Sequence, residues 1–286
     1  MNQALIVVDG VPINADGIES NNNADYSSYV TGGGITDVNS NDIESISVLK
    51  GPNASALYGS RAGNGVILIT TKTGSKAEGL GISINTNLTM DNPMYLPEFQ
   101  NEYAQGTLGG AYTDISTDFG SSSWGPKMGA EQMYFDGMPR RTQAYPDNVK
   151  DFFDTGIKAS TSLSIQDASE KGSVRFSYTN NDHKGIIPSS TLASHNFNLR
   201  GVMNLSDKLT VDAKATYFTQ EVNNRQFLGG EGIMGPLYQM PRSVDIKDLE
   251  QYQVDNPGTA EEYVVRNYAG PNSQTANPYW MANHDT

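Results

Sequence analysis

The chain has 286 residues, of which 37% are hydrophobic, and its formal net charge of −13 argues against a nucleic acid partner, whose phosphates need a basic surface. It contains no cysteine, which excludes disulfides, thiol catalysis and cysteine-based metal sites, and its three histidines lie far apart without metal-ligand spacing. No stretch approaches the roughly eighteen apolar residues of a membrane helix, while the many Gly, Tyr, Asn, Ser and Thr residues favour strands joined by polar turns.

The first residues predict short strands and turns. Residues 5–8 form an apolar run that is closed by Asp9 and Gly10, which predicts a strand followed by a turn. The polar residues 14–41 predict a loop, and residues 41–50 alternate like a half-buried strand. The opening residues lack the basic region of a signal peptide, so we expect the natural start of the protein to lie outside this chain.

A short helix and a glycine-rich turn follow. Asn53 is a predicted N-cap for a helix that runs to Tyr58, and residues 59–65 predict a turn before a strand over residues 66–72. The spacing of the glycines fits neither a P-loop nor a dinucleotide-binding turn, because Gly65 is not followed by lysine. The glycines therefore predict tight turns and close backbone packing.

This stretch resembles a known family. Residues 48–72 resemble the plug motif of TonB-dependent receptors, and Tyr58-Gly59-Ser60-Arg61 is similar to the SusC/RagA branch of that family, as are residues 6–12. The departures are Gly51-Pro52, which is closer to the general receptor motif, and Asn64. The resemblance assigns structural or gating roles to the plug-motif residues Asp9, Gly10, Lys50, Gly51, Ala54, Leu57, Tyr58, Gly59, Arg61 and Gly65.

The environment of Arg61 is a specific expectation within this motif. Arg61 follows the predicted helix, and Glu44 lies on the preceding predicted strand. We hypothesise that Glu44 holds Arg61 inside the plug. The alternative is that Arg61 points into the water of the lumen.

Residues 79–286 predict strands of a membrane barrel. Apolar and polar residues alternate with a period of two in five segments, which are residues 80–89, 157–166, 173–179, 196–205 and 209–218. A charge that faces lipid costs about 2–4 kcal/mol near the middle of a bilayer, and a wet lumen removes that cost. We therefore expect the charged residues of the polar faces to point to one concave side, namely Lys158, Arg175, Arg200, Asp212 and Lys214.

The connections between these segments are unequal in length. Residues 167–172 and 206–208 predict tight turns, whereas residues 91–155 and 222–286 predict long loops. Short periplasmic turns and long outer loops are typical of outer-membrane barrels. An aromatic girdle is expected at the outer ends of the strands on the lipid face, formed by Tyr178, Phe197 and Tyr217.

The resemblance divides the chain into two parts. Residues 1–78 are similar to the C-terminal part of a plug domain, and residues 79–286 are similar to the N-terminal strands and outer loops of a barrel. The expected fold class is therefore an α+β plug followed by antiparallel transmembrane β-barrel strands. Because a plugged transporter barrel has about 22 strands, we expect an incomplete barrel, an open curved sheet, and a fragment of a longer protein.

The function that the resemblance implies is active import. It implies TonB-dependent uptake of a nutrient, an oligosaccharide or a peptide, across the bacterial outer membrane. The implied partners are the TonB complex, whose binding segment lies outside this chain, a SusD-like surface lipoprotein and outer-membrane lipid. No enzymatic activity, cofactor or metal is implied.

The residues alone leave two other readings open. One is a soluble β-rich glycan-binding or adhesin-like module, for which aromatic loop residues are candidates to stack on substrate, although such residues more often pack folded loops. An enzyme is the other, but the acidic loop residues show no pair with assignable acid and base roles. The candidate substrate-contacting aromatics are Tyr112, Trp124, Tyr134 and Tyr145.

Overall fold

A computed structural model of the chain describes residues 4–13, 19–20, 29–30, 38–50, 52–76, 81–112, 122–224, 232–255, 263–269 and 277–283. The two largest sheets within these ranges have four and five strands. The helices found there are all too short and too polar to cross a membrane.

The four-stranded sheet is built from the start of the chain. In chain order the strands are β1 (Leu5–Val8), β2 (Val11–Ile13), β3 (Glu19–Ser20), β4 (Tyr29–Val30), β5 (Ile43–Leu49) and β6 (Val66–Thr71). The sheet has the order β2-β1-β6-β5, with β1 parallel to β6, while β3 and β4 pair with each other. The apolar strand β1 lies inside this sheet, as expected for a strand that is buried on both faces.

A two-residue hairpin turn joins β1 to β2. Both of its residues, Asp9 and Gly10, have positive φ angles of 48° and 84°. Turns with this geometry favour Asp-Gly, because aspartate tolerates the left-handed region and glycine adopts it freely. The predicted strand and turn are confirmed, and the turn fixes the direction in which the Asp9 carboxylate points.

Helix α1 (Pro52–Tyr58) packs on one face of this sheet. It begins one residue before the predicted cap Asn53, since proline suits the first helical position, where its missing N–H is not needed. Gly65 follows with a φ of 98°, and a Cβ there would lie 3.0 Å from the carbonyl oxygen of Leu49. The buried core between helix and sheet is formed by Leu5, Val7, Ala54, Ala62 and Val66.

Two predicted boundaries in this region need correction. The predicted loop over residues 14–41 contains the strands β3 and β4 and most of a 3-10 turn at Ser40–Asp42. The following strand therefore begins at Ile43 rather than at residue 41. Asn39 caps the 3-10 turn, because its side chain accepts a hydrogen bond from the backbone N–H of Asn41. The turn presents Asp42, which is buried.

The remaining elements belong to the larger sheet and its loops. The strands are β7 (Ile82–Asp91), β8 (Glu131–Met133), β9 (Pro139–Arg141), β10 (Gly156–Ser169), β11 (Gly172–Lys184), β12 (Thr191–Ser206), β13 (Leu209–Asn223), β14 (Gln253–Asp255) and β15 (Tyr263–Val265). The helices are α2 (Asn148–Phe152), α3 (Met234–Gln239) and α4 (Pro278–Asn283). The five-stranded sheet is antiparallel with the order β13-β12-β11-β10-β7, and these strands do not close into a barrel.

The register of the large sheet confirms the predicted alternation. One row of directly opposed residues crosses all five strands on the apolar face, and it consists of Ile84, Leu163, Tyr178, Phe197 and Tyr217. Most apolar side chains of this face are exposed, up to 71% for Ile84. The opposite face of the large sheet carries the polar residues and lies against the small sheet.

The aromatic row lies elsewhere along the strands than predicted. Tyr178 was expected at the outer end of its strand, but β11 continues through polar residues to Lys184. Those polar residues pair with β10 on one side and β12 on the other. The rings of Tyr178 and Phe197 are 4.6 Å apart near the middle of their strands, and Tyr217 lies 6.2 Å from Phe197.

The two long loops fold together into one unit with its own core. This loop unit comprises the described residues of 92–155 and 232–283. Gln105 ties its halves, donating a side-chain hydrogen bond to the carbonyl of Tyr268 at 2.9 Å and a backbone one to Ser243 at 2.9 Å. Its buried core consists of Tyr134, Val149, Phe152, Ile233, Leu237, Met240, Val244, Ile246, Leu249, Tyr268, Ala269, Tyr279 and Ala282.

Candidate functional site

Three cations form a row on the polar face of the large sheet. Arg175 on β11 lies directly opposite Arg200 on β12, and Arg200 lies directly opposite Lys214 on β13. Like charges in directly opposed positions destabilise a sheet. This cation row therefore needs negative partners, and two of them come from the small sheet.

The first partner is Asp9, at the turn after β1. Its carboxylate accepts hydrogen bonds from the backbone N–H and the hydroxyl of Thr71, at 2.8 and 2.7 Å, at the end of β6. Lys214 Nζ donates to the same carboxylate at 2.8 Å, and Arg200 Nη1 lies 3.3 Å from it. Burial raises the pKa of Asp9, but the hydrogen bonds from Lys214 and Thr71 outweigh burial and lower the pKa from 3.8 to about 2. Asp9 is therefore charged throughout the physiological range.

Arg200 is shared between the two sheets. Its Nη1 also donates to the carbonyl oxygen of Thr71 at 2.8 Å. On the other side of the guanidinium, Nε and Nη2 donate to the two carboxylate oxygens of Asp212 on β13, at 3.1 and 2.7 Å. A fork-to-fork arrangement of this kind is the strong geometry for an arginine–carboxylate pair.

The second partner is Asp42, which is only 6% exposed. Arg175 Nη2 donates to Oδ1 of Asp42 at 2.9 Å, and Ser177 Oγ and Asn198 Nδ2 donate to Oδ2 at 2.8 and 2.7 Å. Asn39, three residues before Asp42 in the chain, also donates to Oδ2 of Asp42, from its Nδ2 at 3.0 Å. A buried charge is tolerated when it is paired and its lone pairs are satisfied, and Asp42 meets both conditions.

The segment that follows β6 and links the two sheets also lies close to the large sheet, at Gly74 and Ser75. A Cβ at Gly74 would lie 2.5 Å from the carbonyl oxygen of Val174 and 2.7 Å from that of Asp167. One residue on, Ser75 accepts a hydrogen bond of 2.7 Å from Gln166 Nε2. Only glycine allows the backbone to pass this close to the β10–β11 turn.

A cavity of about 250 Å³ lies between the small sheet and the charged face of the large sheet. Apolar side chains come from the small sheet and charged ones mainly from the large sheet. Its lining includes Val8, Ile13, Asp42, Arg175, Arg200 and Lys214. The space lies where the two sheets face one another, so any separation of the sheets would widen it.

The predicted direction of the five charges is confirmed. Arg175, Arg200, Asp212 and Lys214 surround the contacts with the small sheet. Lys158 lies on the same face, because Lys158 and Gln166 are an even number of residues apart on β10 and Gln166 opposes Arg175. It forms an ion pair of 2.6 Å with Asp91 of β7 instead of contacting the small sheet.

The plug-motif residues are placed with different degrees of burial. Asp9 and Gly10 form the turn described above, whereas Gly51 lies outside the described residues. Ala54 and Gly65 are buried, and Tyr58 is half-buried. The exposed members of the motif are Lys50, Leu57, Gly59 and Arg61.

The hypothesised pair of Arg61 and Glu44 is not formed. Both side chains are exposed, and neither takes part in any ion pair found among the described residues. The carboxylates with cationic partners across the two sheets are Asp9 and Asp42. Asp42 was not predicted, because the pattern around it shows a strand end and gives no sign of a partner far along the chain.

Two of the candidate aromatics differ sharply in exposure. Tyr134 is 8% exposed and lies in the core of the loop unit. Its hydroxyl donates to Asp248 at 2.9 Å and accepts from the backbone N–H of Asp245 at 3.0 Å. Burial raises the pKa of Tyr134 well above its usual range, so the hydroxyl stays protonated as a donor. Trp124 is 60% exposed, with its ring 5.8 Å from that of Tyr103.

The other two aromatics are half-buried. Tyr145 accepts a hydrogen bond of 2.8 Å from the side chain of Gln143, and its backbone N–H donates to the carbonyl of Arg242 at 3.0 Å. Tyr112 lies at the edge of the described segment 81–112. Of the four candidates, Trp124 is the most exposed. In the part of the chain that the structure covers, no group of three or more His, Asp or Glu side chains is arranged to hold a metal ion.

Comparisons with known proteins agree with this geometry. Residues 1–66 match the profile of the TonB-dependent receptor plug domain. TonB-dependent receptor P26 of Formosa agariphila is 30% identical over 220 residues, which are 76% of this chain and 19% of that protein. TonB-dependent receptor SusC of Bacteroides thetaiotaomicron is 31% identical over 189 residues, which are 66% of this chain and 16% of that protein.

A solved structure shows the same fold. The RagAB peptide importer in its closed-closed state superposes with a TM-score of 0.60 at 18% identity, covering 98% of this chain and 30% of that one. At this identity the match describes the fold alone. The chain spans less than a fifth of the length of the two curated relatives above.

Proposed function

We propose that this chain, which belongs to the SusC/RagA type of TonB-dependent receptors, forms the C-terminal part of the plug and the first barrel strands of a nutrient importer. Residues 1–78 would be the C-terminal part of the plug domain, and residues 79–286 the N-terminal strands and outer loops of the barrel. The relatives are receptors and transporters rather than enzymes, and no catalytic reaction is assigned to this chain.

The proposed activity is TonB-dependent import across the bacterial outer membrane. The substrate class is an oligosaccharide or a peptide, since a related structure is a peptide importer and the resemblance to the SusC branch implies glycans. The proposed partners are the TonB complex and a SusD-like surface lipoprotein. The candidate site is the charged contact between the plug, which contains the small sheet, and the wall, by which we mean the five-stranded sheet β13-β12-β11-β10-β7.

The observation that carries the proposal is the bonding of two plug carboxylates to the inner face of the wall. Asp9 and Asp42 come from the small sheet and meet the cation row of the large sheet. The opposite face of the same strands is apolar and exposed. A wall with a charged inside that holds an insert and an apolar outside is the arrangement of a plugged membrane barrel.

The exposed apolar face also weighs against the soluble alternative. Ile84, Leu199 and Met203 are each at least half exposed on that face. Soluble monomers rarely expose an apolar surface of this extent. Lipid is a suitable environment for this face, since apolar side chains point outward into the bilayer in transmembrane barrels.

The proposed transport mechanism requires that the bonds between the plug carboxylates and the large sheet be broken. While the plug carboxylates are bonded to β11, β12 and β13, the plug is fixed to the wall. The outer membrane carries neither ATP nor an ion gradient, so a mechanical pull transmitted by TonB is the available source of work. We propose that this pull separates the plug from the cation row and opens the path beside it.

Growth assays test the proposal. In the native bacterium, deletion of the gene should abolish growth on one class of a panel of oligosaccharides and peptides, and loss of TonB should have the same effect. Reintroduction of the full-length gene should restore growth, and the protein should fractionate with outer membranes. Recovery of the full-length protein as a soluble periplasmic monomer, or import that is independent of TonB, would overturn the proposal.

A further inference from the structure

Arg200 differs from the other cations of the row because it is bound to carboxylates of both sheets. Asp9 of the plug reaches it on one side at 3.3 Å, and Asp212 of the neighbouring wall strand reaches it on the other at 2.7 Å. The side chain of Arg200 is mostly buried, whereas that of Asp212 is 45% exposed. Arg200 therefore retains a carboxylate that does not depend on the plug.

Arg175 has no such second partner. Within the described ranges its ion pair is with Asp42 alone, and its remaining side-chain contact is a hydrogen bond of 3.2 Å with the neutral Gln166. Removal of Asp42 would leave a buried guanidinium without a counter-charge. Breaking a buried pair in this way is strongly unfavourable, because the remaining charge has lost its water and gained nothing.

The two plug carboxylates are thus held by contacts of different kinds. We propose that Asp212 is a positioning residue for plug release, which keeps Arg200 paired when Asp9 withdraws, so that the Asp9 side of the plug leaves the wall before the Asp42 side. This inference rests on the proposed function, in which the plug must separate from the wall.

The charges explain why Asp212 would favour release. Asp9 and Asp212 are both negative and draw on one guanidinium, so each weakens the hold of the other. With Asp212 present, the departure of Asp9 leaves Arg200 in a bidentate pair. Without Asp212, the same departure leaves Arg200 without a carboxylate and directly opposite the like charges of Arg175 and Lys214. The effect of Asp212 on release therefore depends on the presence of Asp9.

That dependence provides the test. The full-length receptor is placed in a planar lipid bilayer, and potassium chloride conductance reports plug displacement at a fixed, sub-denaturing urea concentration. Asp212→Asn should lower the probability of the conducting state roughly fivefold, as for a partly exposed ion pair near the upper end of its range. Asp9→Asn should raise that probability. In the Asp9→Asn background, Asp212→Asn should change it by less than about twofold, because Arg200 then has no plug carboxylate to release.

Controls separate this role from a structural one. Asp207→Asn makes the same chemical change on the exposed turn between β12 and β13 and should leave the conductance unchanged. Asp212→Glu keeps the charge and should behave like the natural protein. An equal effect of Asp212→Asn with and without Asp9 would overturn the inference, and so would an Asp212→Asn protein that cannot assemble in the bilayer. A natural protein that never conducts in urea would instead count against the proposed function.

Discussion

Asp42 and Arg175 form an ion pair of 2.9 Å across 133 positions of the chain. Asp42 ends a turn of the small sheet, and Arg175 lies on the second strand of the hairpin β10–β11. The side chain of each is only 8% exposed. Both charges are largely removed from solvent, so the loss of either one leaves the other without its counter-charge.

Asp42→Asn should therefore loosen the plug more than any other single change at this interface. It removes the counter-charge of Arg175 and gives Ser177 and Asn198 a donor where they need an acceptor, at a cost of about 3–5 kcal/mol. The measurement is the urea concentration at which the full-length receptor begins to conduct in a planar bilayer. Glu44→Gln, two residues away and exposed, is the matched control. An unchanged urea midpoint for Asp42→Asn would contradict the assigned role.

The pH dependence of the plug should reflect Asp9. The pKa of its carboxyl is lowered from 3.8 to about 2 in the folded state. A lowered folded-state pKa contributes stability that is present above the unfolded value and is lost as the pH falls from about 4 to about 2. Titrating the plug–wall association of the full-length receptor over this range should show that loss. Asp9→Asn, which tolerates the positive φ, should flatten the curve, and a curve of unchanged steepness would exclude Asp9 as its source.

Gly74→Ala should disturb the link between plug and wall. The added methyl group would meet backbone oxygens of Val174 and Asp167 at 2.5 and 2.7 Å, and overpacking of this kind costs about 1–3 kcal/mol. Gly63→Ala is the control, because its nearest neighbour would lie at an ordinary 3.5 Å. The heat stability of the full-length receptor in detergent, followed by its mobility shift on gels, compares the two. Equal stability of both variants would show that the link can move aside.

Neighbouring residues of β7 test the assignment of its faces. Leu88 is 60% exposed on the apolar face, while Asn87 points to the polar face. Leu88→Lys should destabilise the membrane-inserted full-length receptor by about 2–4 kcal/mol, because the charge meets lipid, whereas Asn87→Lys should have little effect in a wet lumen. The measurement is folding into lipid vesicles in graded urea. The reverse order would mean that the faces are exchanged.

The loop aromatics should separate into a packing residue and a contact residue. Tyr134→Ala should destabilise the loop unit by about 3–5 kcal/mol, since it empties a core site, and hydrogen exchange of α2 should report the loss. Trp124→Ala should change stability by less than about 0.5 kcal/mol. If Trp124 contacts substrate, its loss should weaken binding of the identified oligosaccharide or peptide by about 1 kcal/mol or more. Unchanged affinity would return Trp124 to a packing role with Tyr103.

The strands of the large sheet were predictable because a sheet with one apolar and one polar face repeats one simple rule. Ile84, Leu163 and Leu199 alternate with polar neighbours, and a slip of one residue would move every one of them to the other face. The same rule placed Arg200 and Lys214 on the inner face. The alternation in the sequence therefore predicts which residues lie on each face of the sheet, although it does not predict where the strands end.

Contacts between distant residues were not predictable in this way. Asp42 has its partner on β11, and nothing in its own neighbourhood indicates that partner. Nearness in the sequence favours a pair of Arg61 and Glu44, but the structure leaves both side chains exposed. The core of the loop unit was missed for a related reason, since its helices have five or six residues and are too short to show a helical period.

The loop unit also sets an order in which the molecule can be assembled. Phe152 and Tyr279 meet at a ring distance of 5.1 Å, yet the strands β10 to β13 lie between them in the chain. Those strands form hairpins through short turns, which close at little entropic cost, whereas the loop unit must close a far longer loop. Low contact order favours the hairpins as the early event. We therefore expect the two halves of the loop unit to meet after these strands have paired, because the paired strands bring the halves close together.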